Sequence, residues 1–130
     1  MRNEEFGIAR ENAIADKSKR FALRIIRLYQ FLRKEKRETI LTRQVLRSGT
    51  SVGANIREAA RAQSGGDFYA KLSIALKEAE ETAYWLELLY ESGYLSKTGF
   101  DSLYADCQEL LRLLVSITKT LKTRRGPEKK

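Results

Sequence analysis

The chain has no histidine, one cysteine, one proline and one tryptophan among its 130 residues. Without histidine it lacks the one side chain whose ordinary pKa lies near neutrality, so a Ser-His-Asp triad, a His-based proton shuttle and His-ligated metal centres are all excluded. The lone Cys107 rules out an intramolecular disulfide, and one Cys with no His cannot supply a thiolate–imidazole zinc cluster. The single proline is Pro127, so nothing before it need interrupt a helix. Long apolar runs are missing too: no stretch approaches the roughly 18 residues a membrane-spanning helix needs. Residues 1–15 mix Glu4, Glu5, Arg10 and Glu11 rather than forming an apolar leader. The expectation is a cytoplasmic protein with no membrane contact and no cofactor.

What is present is 42% hydrophobic and 32% charged residues with a net charge of +8, in a chain long enough for one domain with its own core. Scarce proline and abundant helix formers predict an all-α fold. The charge is uneven. Residues 1–38 carry 11 basic and 6 acidic side chains, 39–64 carry 4 and 1, 65–95 carry 2 and 6, and 96–130 carry 8 and 4. Such asymmetry serves binding of a polyanion, or the pairing of helices within the fold or between subunits.

Four helical periods can be read. Between Lys17 and Glu38, Phe21, Ile25, Leu28 and Leu32 recur at spacings of three and four, with Ala22, Ile26 and Tyr29 as an adjacent stripe. The opposite side carries Lys17, Arg20, Arg24, Arg27 and Lys34 in a window with no acidic residue. A second helix is predicted to start with Thr42 as N-cap, with Leu41 and Leu46 as a hydrophobic staple and Val45, Ser48, Val52, Asn55 and Ala59 facing the core. Ser64 caps a third helix, after a turn marked by Gly65 and Gly66, whose seam is Tyr69, Leu72, Leu76, Ala79, Ala83, Leu86 and Tyr90; Gly93 ends it in the left-handed position. Ser96 caps a fourth, with Phe100, Leu103, Cys107, Leu110, Leu114, Ile117 and Leu121 as its seam. Short connections favour an antiparallel up-down-up-down four-helix bundle over residues 16–123, with 1–15 as an N-terminal extension and 124–130, including Arg124 and Arg125, as a basic C-terminal tail.

Within the second helix the run Arg47-Ser48-Gly49-Thr50-Ser51-Val52-Gly53-Ala54-Asn55-Ile56 replaces bulky side chains by small ones. Each glycine costs roughly 1 kcal/mol against alanine in a helix, which predicts a close crossing with the third helix. The third helix carries Glu78 and Glu81 between apolar neighbours. Buried carboxylates need partners, and Arg47 and Asn55 are nominated, with Ser51 in the same polar network. A phosphate-cradling loop is disfavoured because no Gly-Lys-Ser/Thr ending follows the glycines, and a di-iron site because its Glu-x-x-His partner is missing. Cys107 on a seam position reads as a small buried hydrophobe.

The small-residue run, together with Leu72-Ser73-Ile74-Ala75-Leu76-Lys77-Glu78-Ala79 and Tyr84-Trp85-Leu86, resembles the bacterial four-helix-bundle proteins named after the 23S rRNA intervening sequence. The likeness spans residues 16–123. It implies an antiparallel bundle assembling into a homopentamer, without agreed activity, similar in fold to the accessory variability determinant of diversity-generating retroelements, a basic pentamer that binds nucleic acid and a reverse transcriptase. Arg47, Ser51, Asn55, Glu78 and Trp85 occupy positions that the family pattern marks, and none of them requires catalysis.

Three readings of the basic stripe stay open: a solvated face, a nucleic-acid surface, or a contact with a protein partner or another subunit. The leading expectation is a non-enzymatic oligomeric module binding RNA or DNA through Lys17, Arg20, Arg24, Arg27, Lys34, Arg124 and Arg125. The alternative is an adaptor for a neighbouring enzyme such as a reverse transcriptase, without direct nucleic-acid binding.

Overall fold

The computed structural model describes the backbone of residues 3–125 and the side chains of residues 13–123. Among them are four helices and no strand: α1 (Asn3–Glu35), α2 (Leu41–Ala59), α3 (Gly65–Glu91) and α4 (Lys97–Arg125). Helical backbone thus reaches back to Asn3, and Ile14 and Ser18 join Phe21, Ile25, Leu28 and Leu32 in the buried stripe. Ile26, read from the sequence as part of the apolar face, is 37% exposed.

The end of α1 comes three residues earlier than the period suggests because Glu38 has another task. Its carboxylate accepts hydrogen bonds from the backbone N–H groups of Ile40, Leu41 and Thr42 at 3.1, 3.1 and 2.7 Å, satisfying the unpaired donors at the start of α2 and placing negative charge at the helix's positive end. Thr42 is therefore not the N-cap. It lies inside the first turn, fully buried, and its hydroxyl finds no hydrogen-bond partner among the described residues. The connection turns at Arg37, which takes the left-handed conformation with φ +53°.

The other junctions follow from local chemistry. Ser64 Oγ accepts from Asp67 N at 3.1 Å and Ser96 Oγ from Gly99 N at 3.1 Å, the N-cap bonds expected of serine. Gly65 and Gly66 are the first residues of α3 rather than a turn before it. At its other end Gly93 has φ +90°, with Gly93 N donating to Tyr90 O and Tyr94 N to Leu89 O, the paired bonds that close a helix through a left-handed residue.

One core runs through all four helices, lined by Phe21, Ile25 and Leu32 from α1, Val45 and Val52 from α2, Leu72 and Leu86 from α3, and Leu110 and Leu114 from α4. Each helix packs against the next in sequence, and α1 also meets α4, more sparingly. Ile25 lies at Gly49 and Ser18 at Gly53; Ser48 meets Thr82 while Glu58 meets Lys71; Lys17 meets Glu109 while Arg24 meets Asp106.

The glycine run does make a close approach, but to α1. A Cβ on Gly49 would lie 2.9 Å from both γ carbons of Ile25, and one on Gly53 would lie 3.3 Å from Ser18 Oγ. The expected crossing with α3 is formed instead by the neighbouring positions, where the buried Thr82 hydroxyl donates to Ser48 Oγ at 2.8 Å. Residues 48 and 49 point about 100° apart on a helix, so one small-residue run serves two neighbours.

Candidate nucleic-acid interface

Heptad-like spacing puts Lys17, Arg20, Arg24, Arg27 and Lys34 along one side of α1, and the fold sets that side against α4. Lys17 Nζ lies 3.2 Å from Glu109. Arg20 pairs within its own helix, one turn back, with Asp16 at 2.9 Å. Arg24 is held by α4: one guanidinium nitrogen donates to Asp106 Oδ2 at 2.6 Å and the other to Ser102 Oγ at 2.8 Å. Arg27 and Lys34 have no ion pair among the described residues. The stripe is acid-free in its own sequence window, yet α4 supplies two of its counter-charges and Asp16 a third. Arg124 and Arg125, proposed for the same surface, carry side chains that lie outside the described residues.

The sparing contact between α1 and α4 leaves a groove beside this stripe. One part, of about 390 Å³, runs past Lys17, Arg20, Arg24 and Arg27 with Asp106 and Glu109 on its far wall. It continues towards the C-terminal end of α1, where Arg24 and Arg27 are joined by Lys36 and no acidic side chain contributes to the lining. Lys36 stands outside the spacing of the stripe, so periodicity alone does not find it. Asp106 and Glu109 are visible in the sequence as a pair three apart on the fourth helix, but their role depends on α4 lying beside α1.

The second polar constellation joins α2 to α3. Arg47 Nη1 donates to Glu78 at 3.0 Å and Nη2 donates to Glu81, whose Oε2 also accepts from Trp85 Nε1 at 2.9 Å. Bonds to two carboxylates, that to Glu81 foremost, raise the Arg47 pKa, while the Trp85 N–H and then Arg47 hold Glu81 below the usual carboxylate range. The Glu78 side chain is 16% exposed and has its charge compensated. Asn55 is not part of this contact. Its amide donates to Ser51 O at 2.9 Å and Ser51 Oγ at 3.2 Å, one turn back along its own helix, and it lies about 12 Å along the axis of α2 from Arg47. The groups of this salt-linked helix pair, braced by Trp85, satisfy one another.

Among the described residues no group of three or more Cys, Asp or Glu is placed to hold a metal ion. The thiol of Cys107 is fully buried and donates to Ala79 O at 3.4 Å; burial first, then the nearby negative charge of Asp106 and Glu87, pushes its pKa up to about 12. No helix is long and apolar enough to cross a membrane among the described residues.

Known proteins match the chain both in sequence and in structure. The profile of 23S rRNA-intervening sequence proteins matches residues 10–116. A crystal structure from Bacteroides thetaiotaomicron, described as a protein of unknown function from the S23 ribosomal protein family, is 53% identical, with a TM-score of 0.83 over 85% of this chain and 98% of that one. No curated protein matches the chain.

Proposed function

This chain belongs to the 23S rRNA-intervening sequence protein family, and from that premise we propose that it is a non-enzymatic, antiparallel up-down-up-down four-helix bundle that binds RNA or other nucleic acid through the basic side of α1. The supporting observation is that Arg27 and Lys34 are left without counter-ions among the described residues, Arg27 in the wall of an open groove. Phosphate contacts need exposed cations rather than any particular base-reading motif, and each cation that displaces condensed counter-ions adds to a salt-dependent affinity.

The module acts as a homo-oligomer, a pentamer by family likeness, in the cytoplasm. Apolar side chains left outside the core support assembly: Ile74 and Tyr84 on α3 and Val115 on α4 are 43%, 54% and 48% exposed. Repeating a modest basic patch on every subunit raises avidity without any new contact.

The test is a titration against structured RNA at two salt concentrations, with the native mass of the assembly measured alongside. Binding should weaken steeply as salt rises, and Arg27→Glu with Lys34→Glu should weaken it more than Lys17→Glu with Arg24→Glu. Absence of binding at low salt, or affinity indifferent to salt, overturns the proposal and leaves an adaptor role for a protein partner.

A further inference from the structure

The groove widens at the C-terminal end of α1 into a cavity of about 600 Å³, a size usual for small-molecule sites, bounded on the far side by the α3–α4 turn. Arg27, Phe31 and Lys36 line it from the α1 side, Tyr94 and Ser96 from the turn, and Leu28 belongs to its apolar lining; no carboxylate does. Three features point to one ligand class. Phe31 is 43% exposed and Lys36 Nζ sits over its ring, 6.0 Å from the centre, so a cation caps one face of an exposed aromatic ring and leaves the other for a ligand. Arg27 has no ion pair among the described residues, unlike Arg24 at the same cavity. The first turn of α4 borders the cavity at Ser96 and Gly99 and adds the positive end of a helix to the lysine and arginine charge.

We infer that this cavity takes one nucleotide of a single-stranded nucleic acid, its base stacked on Phe31 and its phosphate between Arg27 and Lys36. The inference deepens the nucleic-acid reading above and rests on it. A paired base inside a duplex offers no free face to Phe31, whereas an unpaired one does, so the cavity separates single strands from duplexes without reading sequence. A plain anion site would have no use for the aromatic ring, and an apolar ligand none for the cations.

The experiment measures fluorescence anisotropy of a short labelled single-stranded RNA and of the same strand in a duplex, with the wild-type protein, Phe31→Ala and Phe31→Tyr. Because Phe31 is outside the core, the variants should fold, which far-UV circular dichroism checks. Loss of one stacking partner should weaken single-strand binding about 5- to 100-fold. Duplex affinity should stay within about twofold and Phe31→Tyr should bind like wild type, because stacking is the interaction removed. Phe31→Ala with unchanged single-strand affinity, or with equal losses on both probes, overturns this inference while leaving phosphate binding in place. Failure of the wild type to bind either probe overturns both readings.

Discussion

Gly49→Ala sets two known effects of similar size against each other at one position. Alanine is favoured over glycine in a helix by about 1 kcal/mol, so an unobstructed site would gain that much. Here the added Cβ would lie 2.9 Å from Cγ1 and Cγ2 of Ile25 and 3.3 Å from its Cβ. Ile25 is completely buried on α1, its Cγ atoms are next to the backbone rather than at a flexible tip, and it cannot swing away. Overpacking of this kind costs typically 1–3 kcal/mol, so the steric cost should outweigh the helix-propensity gain and leave a net loss of about 1 kcal/mol. Equilibrium urea unfolding, followed by far-UV circular dichroism, measures it. The diagnostic control is the same substitution in an Ile25→Ala background, where the obstructing Cγ atoms are gone: there Gly49→Ala should be stabilising, a reversal of sign that a double-mutant cycle isolates. Gly53→Ala, whose Cβ would have its nearest contact at 3.3 Å from Ser18 Oγ, should fall near neutral. If Gly49→Ala stabilises the unmodified protein by the full propensity gain, the α1–α2 crossing is looser than described and the reasoning fails.

Three further outcomes follow from local chemistry. Glu81 is held below its ordinary range in the folded protein, so it contributes stability above the unfolded carboxylate pKa that is lost as pH falls through the folded value; Glu81→Gln should flatten the fall in stability below about pH 4.5, and an unchanged pH profile refutes the pairing. The buried Cys107 thiol should resist a thiol reagent at pH 8 in the native protein and react at once in denaturant; prompt native reaction would show that the seam is open. Arg37→Gly should raise the urea midpoint by about 0.5–1 kcal/mol in stability, since φ +53° penalises a side chain with a Cβ, and a lowered midpoint would contradict that conformation.

Much of the fold is legible in the sequence because its signals are local. The seam of α4 from Leu103 to Ile117 and the Phe21 to Leu32 stripe of α1 follow from helical period alone, and Ser64, Ser96 and Gly93 mark junctions by capping chemistry that acts within a few residues. What escapes depends on which helix lies next to which. Gly49 announces a close approach without saying to whom, and the choice of α1 over α3 is set by rotation about the axis of α2. The start of α2 is misread from sequence because Thr42 has the residue type of a cap while Glu38, four residues earlier, reaches the free N–H groups with a stronger, charged acceptor. Asn55 is assigned the wrong partner for a different reason: its type signals a bond, but it lies more than two turns along α2 from Arg47, and its amide bonds Ser51 of its own helix instead.

The candidate site shows the same division, with a consequence for where its free positive charge lies. The basic stripe is a property of α1 and can be read from spacing, but its free charge is a property of α1 and α4 together. Asp106 and Glu109 answer Arg24 and Lys17, and Asp16 answers Arg20, so the N-terminal part of the stripe is largely neutralised. These pairs are partly exposed, and surface pairs hold only about 0–1 kcal/mol each, so a phosphate could displace the carboxylates; it would gain correspondingly less by doing so. Arg27, Lys34 and Lys36 have no such competitor among the described residues, and the partly exposed Phe31 stands among them. The positive potential available to a polyanion is therefore displaced along the helix from the centre of the sequence pattern to the end of α1. The order of charge-reversal effects, Arg27 and Lys34 before Lys17 and Arg24, is the signature that separates this arrangement from a uniformly basic face.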